Sequence, residues 1–298
     1  MFKHVISIKD FSRKDIDLVL DQADKMLEIL STQGSSDMLH GKVLASLFFE
    51  PSTRTRLSFE AAMHRLGGSV IGFSDPSGTS VTKKETTADT IRTVAAYSDI
   101  IAMRHPMDGA ARLASEVSPI PILNGGDGSH QHPTQTLLDL FTIRKELGTL
   151  KGLKIAMVGD MKYGRTVHSL CDALNNYGAD FRFIAPDLLR MPDEYKKGLK
   201  YDEFSELDVG NADVVYMTRI QAERFADPTD YEKVKGSYVL TPETLSTMKE
   251  KSIVMHPLPR VDEISWKCDS DPRCVYFKQA FYGVPTRMAL IAMLLGVV

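Results

Sequence analysis

The sequence predicts an α/β protein of two domains, each a parallel sheet flanked by helices, with interdomain helices joining them. Three observations predict it. Short, continuous apolar runs alternate with helical patterns, and such runs are what strands buried on both faces look like. The alternation restarts after Leu150. The chain has 298 residues, and two domains follow at roughly 100–200 residues each.

The first helix is announced by Ser12 and Asp15, a capping box with Asp in place of the usual Glu or Gln. Ile16, Val19, Leu20, Ala23, Met26, Leu27 and Leu30 then recur at helical spacing. Apolar runs at residues 42–49, 69–73, 100–104 and 120–123 read as strands. A helical pattern containing Phe59, Ala62, Met63 and Leu66 falls between the first two. Residues 133–147 form the long helix expected to join the halves. In the second half, runs at 154–158, 181–185, 213–217 and 253–255 predict four more strands. The apolar stretch 288–295 is too short to span a bilayer and reads as a buried helix.

Composition narrows the function. Hydrophobic residues make up 43% and charged residues 25%, as in a chain with an ordinary core. Net charge is -3 with no strongly basic stretch, which argues against nucleic acid or a membrane surface as the main partner. Attraction for anions must then be local. Cys171, Cys268 and Cys274 match no zinc spacing, and their odd number argues against a disulfide framework. They are expected to be reduced, in a cytoplasmic setting. The opening residues Met1 to Val5 lack the apolar stretch of a signal peptide.

In an open parallel sheet, ligands gather beyond the carboxyl ends of the strands. The polar motifs of this chain follow predicted strands. Glu50-Pro51-Ser52-Thr53-Arg54-Thr55-Arg56 comes between a strand and a helix. Unpaired N–H groups at a helix start suit a phosphate, and arginine fits phosphate oxygens bidentately. The Gly-rich Lys-Ser/Thr pattern of a Walker loop is missing. His130-Gln131-His132-Pro133-Thr134-Gln135-Thr136 places His132 and Gln135 near another helix start, where an imidazole or amide can donate to a carbonyl oxygen. Ser80-Val81-Thr82-Lys83-Lys84-Glu85 is a polar, lysine-bearing loop, and Arg104 directly follows a strand.

The second half adds three more segments. Gly159-Asp160-Met161-Lys162-Tyr163-Gly164-Arg165 lacks the G-x-G-x-x-G spacing, which argues against a nicotinamide or flavin. Arg165, at a helix start, suits a carboxylate, and Thr218-Arg219-Ile220-Gln221 offers a second anion-binding arginine. The two prolines of His256-Pro257-Leu258-Pro259-Arg260 hold the backbone extended, leaving carbonyls to meet a ligand. Each segment alone also fits an ordinary cap or solvated loop.

Together, and in this order, the segments resemble the aspartate/ornithine carbamoyltransferase family over nearly the whole chain. Ser52-Thr53-Arg54-Thr55-Arg56 and His132-Pro133-Thr134-Gln135 match its two carbamoyl-phosphate signatures. His256-Pro257-Leu258-Pro259 and Arg219-Ile220-Gln221 fit the aspartate branch, since ornithine enzymes carry His-Cys-Leu-Pro. The resemblance implies carbamoyl transfer from carbamoyl phosphate to L-aspartate, a step toward pyrimidines, with no cofactor and no metal. It implies a carbamoyl-phosphate domain at 1–132, with helix 285–298 packing back on it, and an aspartate domain at 133–284. Ser52, Thr53, Arg54 and Thr55 would hold the phosphate, and Arg104 would bridge phosphate and carbonyl. Thr55, Arg104 and His132 would polarise the carbonyl, while Gln135 and the carbonyls of Leu258 and Pro259 would place the carbamoyl amide. Arg165 would take the α-carboxylate of aspartate, and Arg219 with Gln221 its side-chain carboxylate. Glu50 would bridge to Arg165 and Arg224 on domain closure.

Family members act as trimers in which Ser80 and the loop lysine enter the neighbouring site, so a homotrimer is implied. Regulatory chains forming a larger assembly are left open. The family reads Lys-Gly-Glu-Thr where this chain has Lys83-Lys84-Glu85-Thr86. Lys83 then takes the functional place and Lys84 that of the glycine, with Lys84 as the alternative. Two other readings stand beside this one: a transcarbamoylase with a different amine acceptor, and a non-catalytic scaffold of the same family.

Overall fold

The computed structural model describes residues 2–225 and 227–298, and the chain forms two units, Met1–Phe141 with Ala280–Val298 and Thr142–Gln279. The first unit opens with α1 (Arg13–Thr32). Its capping box forms as the sequence predicts: Ser12 Oγ accepts from the Asp15 N–H at 3.2 Å, and Asp15 accepts from the Ser12 N–H at 3.0 Å. Then follow β1 (Val43–Phe48), α2 (Thr53–Arg65), β2 (Ser69–Phe73), α3 (Thr87–Ala95), β3 (Ile100–His105), α4 (Ala110–Val117), β4 (Ile122–Asp127) and α5 (Pro133–Leu147). Among the described residues the sheet has the order β2-β1-β3-β4, and every pair is parallel.

Successive side chains of a strand point to opposite faces. Ala45 and Leu47 of β1 join Ile101 and Met103 of β3 and Ile91, Ala111 and Ala114 of α3 and α4 in one apolar core. On the alternate face, Ser46 Oγ meets Glu60 of α2 at 3.1 Å. Both faces of β1 are therefore covered, which is why its sequence is a continuous apolar run.

The second unit contains β5 (Lys154–Val158), α6 (Arg165–Asn175), β6 (Asp180–Ile184), α7 (Asp193–Lys196), β7 (Lys200–Phe204), β8 (Val214–Met217), α8 (Pro228–Val234), α9 (Pro242–Ser246) and β9 (Ile253–Met255). Its parallel sheet runs β7-β6-β5-β8-β9. Ala156, Val158, Val215, Met217 and Val254 share a core with Leu240, Leu245 and Tyr276. The last helix, α10 (Tyr276–Leu294), begins in this unit and ends in the first. No helix among the described residues is long and apolar enough to cross a membrane.

Three elements differ from the sequence expectation. β4 was expected at 120–123 but starts at Ile122 and continues through Asn124-Gly125-Gly126-Asp127. Those polar residues are buried and satisfied internally: Asn124 Nδ2 donates to the Ile6 carbonyl and to Asp127 Oδ1, both at 2.9 Å. β7 was not expected at all. It is a mostly exposed edge strand, and a strand that buries little leaves no apolar run to read. The C-terminal helix starts nine residues before Pro285, which lies inside it rather than at its start. Its first turn is anchored on the end of β9, where Gln279 Oε1 accepts the His256 N–H at 2.8 Å.

Candidate active site

In the first unit, the expected residues other than Ser80 and Lys83 emerge at the carboxyl ends of the three adjacent strands β1, β3 and β4. The turn after β1 delivers Glu50 and Ser52. Ser52 is the N-cap of α2, yet its side chain makes no capping bond. The first intrahelical bond of α2 runs from the Arg56 N–H to the Ser52 carbonyl, at 3.1 Å. The N–H groups of Thr53, Arg54 and Thr55 precede it and have no intrahelical acceptor. The Ser52 hydroxyl and these groups make an anion cradle at the positive end of the helix.

Two guanidiniums sit at this cradle. Partial burial and the positive charge of Arg104 both lower the pKa of Arg54. Arg104, at the end of β3, has its Nε 3.4 Å from Glu50 Oε2, yet neither atom has a hydrogen-bond partner. The pair is thus a contact of charges out of donor–acceptor alignment. Arg104 Nη1 also reaches the Gly125 carbonyl of β4 at 3.4 Å. A side chain on Gly125 would meet the Met103 carbonyl at 3.1 Å and Thr55 Cγ2 at 3.4 Å. Glycine there lets α2 and its first turn lie close against the sheet.

The segment after β4 supplies His132 and Gln135. Gln135 and Thr136 donate to the His132 carbonyl at 2.9 and 3.3 Å, so His132 stands at the start of α5. Its ring is buried, with Nδ1 3.4 Å from Thr134 Oγ1. Gln135 Nε2 donates to Asp139 Oδ1 at 2.9 Å. Ser80 and Lys83 bound a short 3-10 turn beyond β2, both exposed. Lys84 follows in the left-handed region at φ 67°.

In the second unit, the expected residues lie at the carboxyl ends of the neighbouring strands β5, β8 and β9. Arg165 is the first residue of α6, after the loop that leaves β5. Thr218 ties that loop to the one leaving β8: its Oγ1 accepts the Asp160 N–H and donates to the Val158 carbonyl, each at 2.9 Å. Burial raises the Asp160 pKa against the bonds it receives, among them those from the backbone and side chain of Gln221. Arg219 and Arg224 flank Gln221, both partly exposed.

After β9 the backbone is not extended as the two prolines suggest: Leu258 takes φ 53° and the Leu258–Pro259 bond is cis. His256 holds this turn from within. Its Nδ1 accepts the Leu258 N–H at 2.7 Å, and its Nε2 meets Glu263 Oε1 at 2.6 Å. Glu263 Oε2 accepts the Val261 and Asp262 N–H groups at 3.1 Å each. Burial works to raise the Glu263 pKa, but the bonds it receives outweigh burial and hold it below the usual range. The Leu258 and Pro259 carbonyls are therefore carried on a braced turn.

The supports of these groups lie outside the roles the motifs suggest: Asp160, Glu263, Asp139 and Arg287, whose guanidinium donates to Thr134 beside His132. For the last two a signal was present: Asp139 sits inside Leu137-Leu138-Asp139-Leu140-Phe141, and Arg287 directly precedes the apolar stretch 288–295. A lone charge within a buried helix face needs a partner.

The chain matches a family model for the carbamoyl-P binding domain of aspartate/ornithine carbamoyltransferases over residues 3–145. A second model, for the Asp/Orn binding domain of the same family, matches residues 151–294. An aspartate carbamoyltransferase catalytic subunit from Thermococcus kodakarensis is 58% identical, over 99% of this chain and 97% of that protein. One from Methanococcus vannielii is 57% identical over 98% of each. Among solved structures, the catalytic subunit of M. jannaschii aspartate transcarbamoylase superposes with a TM-score of 0.92 at 53% identity, covering 98% of both chains. Trypanosoma cruzi aspartate transcarbamoylase in complex with carbamoyl phosphate and aspartate gives 0.91 at 41% identity, covering 97% of this chain and 95% of that one.

Proposed function

This chain belongs to the aspartate/ornithine carbamoyltransferase family, and on that premise we propose that it transfers the carbamoyl group of carbamoyl phosphate to the amino group of L-aspartate. The products are N-carbamoyl-L-aspartate and phosphate, and the product is an open-chain precursor of a pyrimidine ring. One observation carries the reading within the site. Arg54 lies in the field of Arg104 at the open start of α2. Like charges so placed disfavour one another until an anion joins them. A phosphate dianion there takes both guanidiniums, the Ser52 hydroxyl and the N–H groups of Thr53, Arg54 and Thr55.

With the phosphate held, Thr55, Arg104 and His132 address the carbonyl oxygen, and Gln135 with the carbonyls of Leu258 and Pro259 addresses the amide. Arg165 takes the α-carboxylate of aspartate, and Arg219 and Gln221 take its side-chain carboxylate. The unprotonated amine attacks the carbamoyl carbon, a C–N bond forms, and charge gathers on the carbonyl oxygen. The C–O bond to phosphate then breaks, and a phosphate oxygen accepts the proton released by the amine. Orientation of two bound reactants can contribute as much as ~7–11 kcal/mol. A well-placed donor to the oxyanion contributes roughly 3–4 kcal/mol.

Residues 1–132 with 285–298 are assigned to carbamoyl phosphate and 133–284 to aspartate. The working unit is a cytoplasmic homotrimer in which Ser80 and Lys83 of one chain serve a neighbour's site. The left-handed backbone at Lys84 supports Lys83 as the reaching lysine, because glycine takes that conformation most readily and Lys84 stands where the family carries one. The test is phosphate release from carbamoyl phosphate with a panel of amines. Release with aspartate alone is expected. Release with another amine would reassign the acceptor, and release with none would make the chain a scaffold.

A further inference from the structure

Behind His132 and Gln135 lies a buried polar chain that ends on α10. Arg287 is only 2% exposed. Its Nη2 donates to Thr134 Oγ1 at 3.2 Å, its Nη1 to the Gly283 carbonyl at 3.2 Å, and its guanidinium lies 4.8 Å from the centre of the Phe59 ring. Burial lowers its pKa to about 9, and the charge of Asp139 opposes that fall. Thr134 and Asp139 are themselves completely buried.

The donor and acceptor inventory decides what these contacts do. A guanidinium only donates, so the Thr134 oxygen accepts from Arg287, and its own proton is left to point elsewhere. His132 Nδ1 is the ring nitrogen beside that hydroxyl, at a distance that can tighten when substrate binds. A neutral imidazole that accepts at Nδ1 carries its proton on Nε2. Nε2–H is the form that can donate to a carbonyl oxygen. A carboxylate only accepts, so Asp139 fixes the amide of Gln135 with Nε2 inward. Its Oε1 is then the end that can accept an N–H. A carbamoyl group offers both complements, one carbonyl oxygen and an NH2.

We propose that Arg287 is a positioning residue which, through Thr134, sets the tautomer of His132, while Asp139 sets the amide orientation of Gln135, so that the pair reads a carbamoyl group. This inference rests on the carbamoyl-transfer reading above. The test uses the intact enzyme with 15N-labelled histidine, the His132 signals being identified by their loss in His132→Asn. Nitrogen shifts distinguish the two tautomers without any turnover.

The unmodified protein is expected in the Nε2–H form. Thr134→Val should shift the ring toward Nδ1–H and lower kcat by about ten- to a hundredfold, less than loss of the donor itself. Thr134→Ser should restore both. Arg287→Lys, which keeps a charge opposite Asp139 but loses the fork, should move the tautomer in the same direction. An Nδ1–H ring in the unmodified protein, or a Thr134→Val enzyme with unchanged tautomer or kcat, overturns the proposal. So does an Arg287→Lys enzyme that stays Nε2–H. If the unmodified enzyme carbamoylates no aspartate, the functional reading fails instead, and the nitrogen shifts still judge the relay.

Discussion

Arg54 is a residue whose energetic sign depends on whether ligand is present. Without an anion, its guanidinium loses water and feels Arg104. With phosphate bound, attraction to the anion offsets both costs. Arg54→Ala should therefore lower kcat/KM for carbamoyl phosphate by about 10²- to 10³-fold. Its thermal midpoint should stay level or rise, because the removed group was not supporting the fold. Steady-state kinetics beside a thermal unfolding curve checks both; near-normal turnover would remove Arg54 from the assigned role. Glu50 is a second such residue. It holds Arg104 at 3.4 Å without hydrogen-bond geometry, so a phosphate bound as proposed would displace only a weak contact.

At the scale of the element, the site depends on how closely loops from adjacent strands can approach. Gly159, at the end of β5, has φ 111°, and a side chain on it would meet the Thr218 carbonyl at 2.5 Å. Thr218 carries the backbone into Arg219 and Gln221, and its hydroxyl is bonded to the Asp160 N–H. Gly159→Ala should push these two loops apart. The expected cost is about 1–3 kcal/mol in stability, together with a raised KM for aspartate and a nearly unchanged affinity for carbamoyl phosphate. Denaturant melts and substrate titrations read the two effects separately, and an unchanged aspartate KM would show that the loops do not set Arg219. The helix starts follow the same logic. The serine that begins α1 is used for its cap, whereas the serine that begins α2 is not. The same residue type thus stabilises one helix and is available to a ligand at another.

At the scale of the whole molecule, the proposed trimer makes a quantitative prediction. A chain with Arg54→Ala lacks its own cradle but can lend Lys83, and a chain with Lys83→Ala has the reverse defect. Trimers reassembled from an equal mixture should recover activity at about a quarter of their sites, by random pairing around a closed ring. Either variant alone should stay inactive, and native mass spectrometry should report the trimer. A mixture that recovers nothing would confine each site to one chain.

Much of this protein was written locally. Eight strands were legible, most of them because burial leaves continuous apolar runs in a parallel sheet, and the exposed edge strand β2 because it still carries Val70, Ile71 and Phe73. The capping box of α1 and the start of α5 could be read residue by residue. The edge strand β7 was not legible, because it is mostly exposed and its residues, Lys200 to Phe204, form no apolar run. The early start of α10 was hidden for a related reason: Gln279 anchors it to His256, a contact across 23 residues of sequence. The motifs announced the polar groups at the strand ends, since each sits in a short segment that follows a strand. What braces them came only from the tertiary structure. Arg287 reaches Thr134 from a helix 153 residues later in the chain. The sequence by itself determined which chemical groups stand at the strand ends. Only the folded chain decided which protons and lone pairs those groups present, because that depends on buried partners brought together from distant parts of the sequence.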